Sequence, residues 1–167
     1  VLETSEKFHK VFANCKDQSV EIETKADHRY DSTGLGRYHK KGFPIDLALS
    51  LPVTSQPKYR LPKDLVRKNL SICAGVRYTD NRTIRISDLE NRLTAKTKVL
   101  KEDMEGVVFQ VEYNSTDEEM PLHIKEEYTI LSDGVLIEAQ AYGENVQSVV
   151  FSVPIFVTNG KNRSDIH

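Results

Sequence analysis

The 167-residue chain contains no tryptophan, only two cysteines and two methionines, and no long hydrophobic run. Each shortage excludes something. Two cysteines, Cys15 and Cys73, cannot build a disulfide framework or a metal knuckle, and their apolar neighbours (VFANC, SICAGV) predict buried free thiols. No stretch approaches the roughly 18 apolar residues of a membrane-spanning helix. Charge of one sign is also lacking: 23 Lys and Arg against 25 Asp and Glu give a net charge of −2. No global field then favours nucleic acid or an anionic membrane. Low-complexity tracts, repeats and linkers are absent, and the length suits one domain, residues 1–167, with a real core. The opening VLETSEKFHK has neither an initiator Met nor the apolar core of a signal peptide, and reads as part of a larger protein. Its compartment is left open among bacterial periplasmic, secreted and cytoplasmic. Four N-x-S/T triplets, at Asn69, Asn81, Asn114 and Asn162, would accept glycans only in a secreted eukaryotic chain.

What is present is alternation. Val107, Phe109, Val111 and Tyr113 share one face of a predicted strand; Leu122, Ile124, Tyr128 and Ile130 share another. Val135, Ile137, Ala139 and Ala141 follow, then Val149, Phe151, Val153, Ile155 and Val157. Leu93, Ala95, Thr97 and Val99 precede them. A period of two buries one face of a sheet and leaves the other polar. Ser132-Asp133-Gly134 is a hairpin signal and Gly143-Glu144-Asn145 a turn, so these five strands are expected to form an antiparallel meander. Upstream, residues 20–24, 45–51, 71–78 and 83–86 read as further strands, and the two prolines of 55–65 mark a surface loop. Phe8, Val11 and Phe12 fit either a helical turn or a first strand. About nine strands with no convincing helix predict an all-β fold, an antiparallel β-sandwich or stacked-sheet domain with a C-terminal meander.

The chemistry concentrates in residues 26–44, ADHRYDSTGLGRYHKKGFP, read as a long polar connection between strands. Gly34-Leu35-Gly36 lacks the third glycine and the helix of a dinucleotide fingerprint, and no Walker lysine follows. Tyr30, Arg37, Tyr38 and His39 are the candidate ligand-binding residues. Arg37 could fork onto an anionic group, His39 could stabilise charge or shuttle a proton, and the tyrosines could exchange protons or stack. Such a set suits proton abstraction α to a carboxylate followed by elimination, and equally plain recognition of an acidic sugar. A metal reading would use Asp27, His28 and Asp31, with His39 nearby, though no diagnostic ligand spacing accompanies them. The bland alternative is that these polar groups satisfy one another. No Ser-His-Asp set or G-x-S-x-G motif is legible, no catalytic residue is assigned and no cofactor is expected.

The stretch ADHRYDSTGLGRYHKKGFPIDLALSLP, with the later EEYTILSDGVLIEAQAYG, resembles the C-terminal β-domain of heparinase II/III-like proteins, bacterial polysaccharide lyases and their relatives. The resemblance implies a β-sandwich preceded by an α/α toroid, with acidic polysaccharide bound between them. It further implies that catalytic Tyr and His come mainly from the toroid, with one more His from the sandwich. This sequence carries no toroid and no His-rich segment, and neither His28 nor His39 matches the family's sandwich histidine. The domain type is carried over and a catalytic assignment is not. The expected partners are an acidic polysaccharide or an upstream α/α-toroid catalytic domain, and the isolated chain is expected to turn over nothing. A free-standing carbohydrate-binding module, disfavoured by the missing tryptophan, and a structural or protein-interaction sandwich are the alternatives.

Overall fold

A computed structural model describes residues 1–4, 8–43, 49–50, 69, 71–154, 156–158 and 164–166. The predicted loop 55–65, Asn162 and Ile155 lie outside the described residues, as does most of the predicted strand 45–51. The fold is all-β, with stacked antiparallel sheets. One sheet orders β1 (Leu2–Glu3), β2 (Lys10–Cys15), β3 (Gln18–Glu23), β4 (Gly34–Lys40) and β5 (Leu49–Ser50) side by side. A second is the meander of β8 (Leu93–Glu102), β9 (Val107–Ser115), β10 (His123–Ile130) and β11 (Val135–Ala141). A third sets β6 (Cys73–Tyr78) between β7 (Thr83–Arg85) and β12 (Val146–Ser152). β13 (Phe156–Thr158) and β14 (Ser164–Ile166) form a hairpin. A 3-10 turn at Ile86–Asp88 follows β7.

The alternation in β9 and β10 works as expected: Phe109, Val111, Tyr113, Ile124, Tyr128 and Ile130 are all fully buried. They join Val11, Val20 and Ile22 of the first sheet and Ala74, Val76 and Tyr78 of the third in one apolar cluster. Phe109 and Tyr128, directly opposed across β9 and β10, stack with centroids 5.0 Å apart. Leu131 N–H donates to the Gly134 carbonyl (2.9 Å), closing the predicted hairpin. Both cysteines are buried free thiols, and burial pushes the Cys73 thiol up, which keeps it inert.

Two expectations are corrected. The meander has four strands, not five, because β12 pairs with β6 and leaves β11. The turn between them carries Gly143 and Asn145 at positive φ, and the Asn145 carbonyl is taken by Thr79 N–H at the end of β6 (2.9 Å). That hydrogen bond delivers the chain to the third sheet. Consequently the row read as core, Val149, Phe151 and Val153, stays 37, 41 and 61 % exposed at a sheet edge.

The second correction concerns 26–44, which is not one long loop. Only residues 24–33 form a connection, and Gly34–Lys40 is strand β4, between β3 and β5. Its register slips at one point: Glu21 faces Arg37 while Ile22 faces Leu35, leaving Gly36 as the extra residue of a β-bulge. The bulge resets the parity of the strand. Leu35 and Tyr38, three apart, both oppose core residues (Ile22 and Val20), and Arg37 and His39 are turned to the outer face.

Candidate functional site

Register assembles the outer face of the first sheet. Lys10 lies opposite Glu23, Phe12 opposite Glu21, and Glu21 opposite Arg37, so Lys10, Glu21, Glu23, Arg37 and His39 share one side. Lys10 Nζ bonds Glu21 Oε1 (2.6 Å), contacts the Glu23 carboxylate and lies 4.0 Å from Asp31. Arg37 reaches Glu21 from the other flank at 3.6 Å. Charges therefore alternate along Asp31, Lys10, Glu21 and Arg37, and a predicted metal candidate is joined to a predicted ligand residue through groups not singled out from the sequence. Glu21 and Glu23 were readable as the polar positions of VEIET. Lys10 was not, because its strand was ambiguous.

Burial pushes Glu23 up to about 7 even though Lys10 opposes the shift; the Asp31 and Glu21 charges add to it. Burial also works against the Lys10 charge, but the Glu21 and Glu23 carboxylates outweigh it and raise its pKa. Glu23 could exchange a proton near neutrality, yet its side chain is 3 % exposed, beneath Lys10. A general base must reach the proton it takes, so Glu23 is placed to hold the sheet and not to act on a bound molecule.

The four candidate ligand residues do not converge. Tyr38 packs against the core, and its hydroxyl donates to Gln18 Oε1. Tyr30 stands exposed on the preceding connection with the Arg29 guanidinium 5.8 Å from its ring centre. Arg37, with 59 % of its side chain exposed, and His39, whose Nε2 lies 3.4 Å from the Phe43 carbonyl, remain neighbours on the outer face. Strand parity thus keeps two of the four together.

The metal set separates as well. Asp27 holds Arg29 through a forked pair and accepts Arg29 N–H in a tight Asx turn (3.0 Å). Asp31 faces Lys10. His28 is buried against the 3-10 turn, with a hydrogen bond to the Ser87 backbone; burial lowers its pKa, while the Glu90 and Asp88 charges pull the other way. Among the described residues no three His, Cys, Asp or Glu side chains are grouped to hold a metal ion.

A small cleft of about 280 Å³ opens beside Asp27, Arg29 and Glu90. A larger one, about 630 Å³, lies elsewhere, at the end of β10 beside His123 and Tyr142. Among the described residues, Arg37 and His39 line neither cleft and present a surface. Chemically, the outer face of β4 can fork onto an anion through Arg37 and add a neutral or charged donor at His39. No helix among the described residues is long and apolar enough to cross a membrane. The chain matches no family model, no curated protein and no solved structure.

Proposed function

We propose that this chain is the β-domain of a carbohydrate-active protein resembling the heparinase II/III-like polysaccharide lyases, and that it contacts an acidic polysaccharide without performing the chemistry. The observation that carries this reading is the pairing of Arg37 and His39 on the exposed face of β4. A guanidinium with most of its surface in solvent and, among the described residues, a single long ion pair keeps donors available for a carboxylate or sulfate. The buried position of Glu23 and the inward turn of Tyr38 support binding over catalysis, since neither presents a proton-transfer group to a bound sugar.

A supporting role beside a catalytic domain is the second reading, favoured by the partly exposed apolar row of Val149 and Phe151 on β12 and Val153 just beyond it. Monomeric surfaces keep such contiguous rows small, and larger ones mark contacts with another protein surface.

The test is a titration with an oligosaccharide bearing uronic acid or sulfate, at low and high salt. Arg37→Ala is expected to weaken binding about tenfold, roughly 1.4 kcal/mol, and to flatten the salt dependence. Tyr38→Phe should stay within about twofold. Affinity unchanged by Arg37→Ala would reject the site. Sustained formation of unsaturated products by this chain alone would reject the non-catalytic assignment.

A further inference from the structure

The 630 Å³ cleft is independent of the outer face of β4 and belongs to other sheets. Its walls are the β9–β10 connection, the turn between β11 and β12, and Tyr78 at the end of β6. Tyr142 is its aromatic wall. The ring is held on one side by His123, with centroids 4.7 Å apart at a tilt of 35°, and its hydroxyl donates to Gln140 Oε1 (2.7 Å). These contacts fix the ring while leaving the residue 38 % exposed, so little side-chain entropy is lost when something stacks on it. His123 is itself oriented by Glu112, whose Oε1 lies 2.8 Å from Nε2.

The charges at the mouth select the ligand. Asp117 is neutralised by Arg92 (2.8 Å), but Glu118 and Glu144 line the cleft as exposed carboxylates. A polyanion would meet repulsion there. A cation would compete with protein cations already at the rings: Lys125 Nζ lies 5.6 Å from the Tyr142 centroid, and the Arg82 guanidinium 5.8 Å from that of Tyr78. A neutral polyol is not repelled by the carboxylates, and it has only to share the Tyr142 ring with the Lys125 side chain or move it aside. Its C–H face can cover the Tyr142 ring while its hydroxyls donate to Glu118 and Glu144.

We propose that this cleft is a second glycan subsite, for a neutral pyranose, with Tyr142 as stacking platform and Glu118 and Glu144 as hydroxyl acceptors. It takes a different class of sugar from the anion-binding face of β4, so either site can fail without the other.

The experiment is native affinity electrophoresis in gels containing galactomannan, xyloglucan or a mixed-linkage glucan, with a chitosan gel as the cationic control. Retardation in at least one neutral gel is expected. Tyr142→Ala should weaken it at least tenfold, Tyr142→Phe should retain it within about twofold, and Arg37→Ala should leave it unchanged. Should Tyr142→Ala unfold, the surface double variant Glu118→Gln/Glu144→Gln serves in its place, with a loss of about fivefold expected. Normal mobility in every neutral gel, retardation by chitosan alone, or binding indifferent to these variants would overturn the proposal.

Discussion

Gly34→Ala is expected to cost about 3–5 kcal/mol of stability, from one added methyl group. Gly34 opens β4 at φ +127°, a conformation L side chains rarely adopt. The space is also closed. A Cβ there would lie 2.7 Å from the Ile72 carbonyl oxygen and 2.8 Å from both Cys73 Cβ and Ser71 Oγ. Those neighbours cannot retreat cheaply, because Leu35 N–H donates to the same Ile72 carbonyl (2.9 Å) and Ser71 Oγ–H donates to the Thr33 carbonyl. This seam stitches the first sheet to the strand entering the third. For a chain of this size the loss corresponds to a fall of roughly 10 °C or more in the melting midpoint. Gly134→Ala is the control: nothing lies within 4 Å of its added Cβ, and its φ is ordinary. A melt within a degree or two of the parent is expected there, and equal melts for the two variants would contradict the account of the seam.

The second large effect belongs to Glu126, a carboxylate fully buried in the core. Tyr78 N–H donates toward β7, to Arg82, so by strand alternation Ala74 N–H points toward the same edge. At Ala74, however, β7 has already turned away at Ile86. Glu126 Oε1 fills the gap, accepting Ala74 N–H (2.7 Å), while Oε2 accepts the Tyr128 hydroxyl (2.6 Å). Truncation by Glu126→Ala orphans both donors and leaves a void, at a cost of about 3–5 kcal/mol. Glu126→Gln keeps an acceptor for Ala74 and a donor for Tyr128, and about 1 kcal/mol is expected.

The same residue sets a pH dependence. Burial pushes Glu126 up to about 7 from an ordinary 4.5, against the pull of its two hydrogen bonds. Between those values the folded protein holds a proton that the unfolded chain releases, so stability falls as pH rises through the window. The loss amounts to about 3 kcal/mol by the upper end. Glu23, raised for the same reason, adds a decline of the same sign. Denaturant titrations at pH 4.5 and 7.5 separate them: Glu126→Gln removes its own share of the slope and leaves the share of Glu23. A parent protein more stable at pH 7.5 than at 4.5, with the slope untouched by Glu126→Gln, would contradict this.

Sequence pattern alone located β9, β10 and β11, because each presents an unbroken period-two row and Asp133-Gly134 closes the hairpin. Glu126 was readable too: Ile124, Tyr128 and Ile130 share its face, so a carboxylate stood in a core row. β4 was not readable, for a physical reason. The Gly36 bulge places Leu35 and Tyr38 on one face at a spacing of three, which breaks the period of two by which a strand is read. The glycines therefore looked like a loop, and Tyr38 looked like a companion of Arg37 and His39. Nor does a period of two name the sheet a strand will join. β12 kept its alternation and crossed to β6, with its apolar row left half exposed. Lys10 escaped notice because its role rests on register across β2 and β3, which no single segment encodes.

The measurement that bears most directly on the proposed function is affinity electrophoresis of the chain in gels containing acidic polysaccharides. The Arg37→Ala/His39→Ala double variant runs alongside, both proteins first shown to be folded. Retardation by a uronate- or sulfate-bearing polysaccharide, weakened by added salt and abolished in the double variant, is the predicted result. Equal mobility of parent and variant in every acidic gel would contradict it, and would leave the outer face of β4 as a solvated surface.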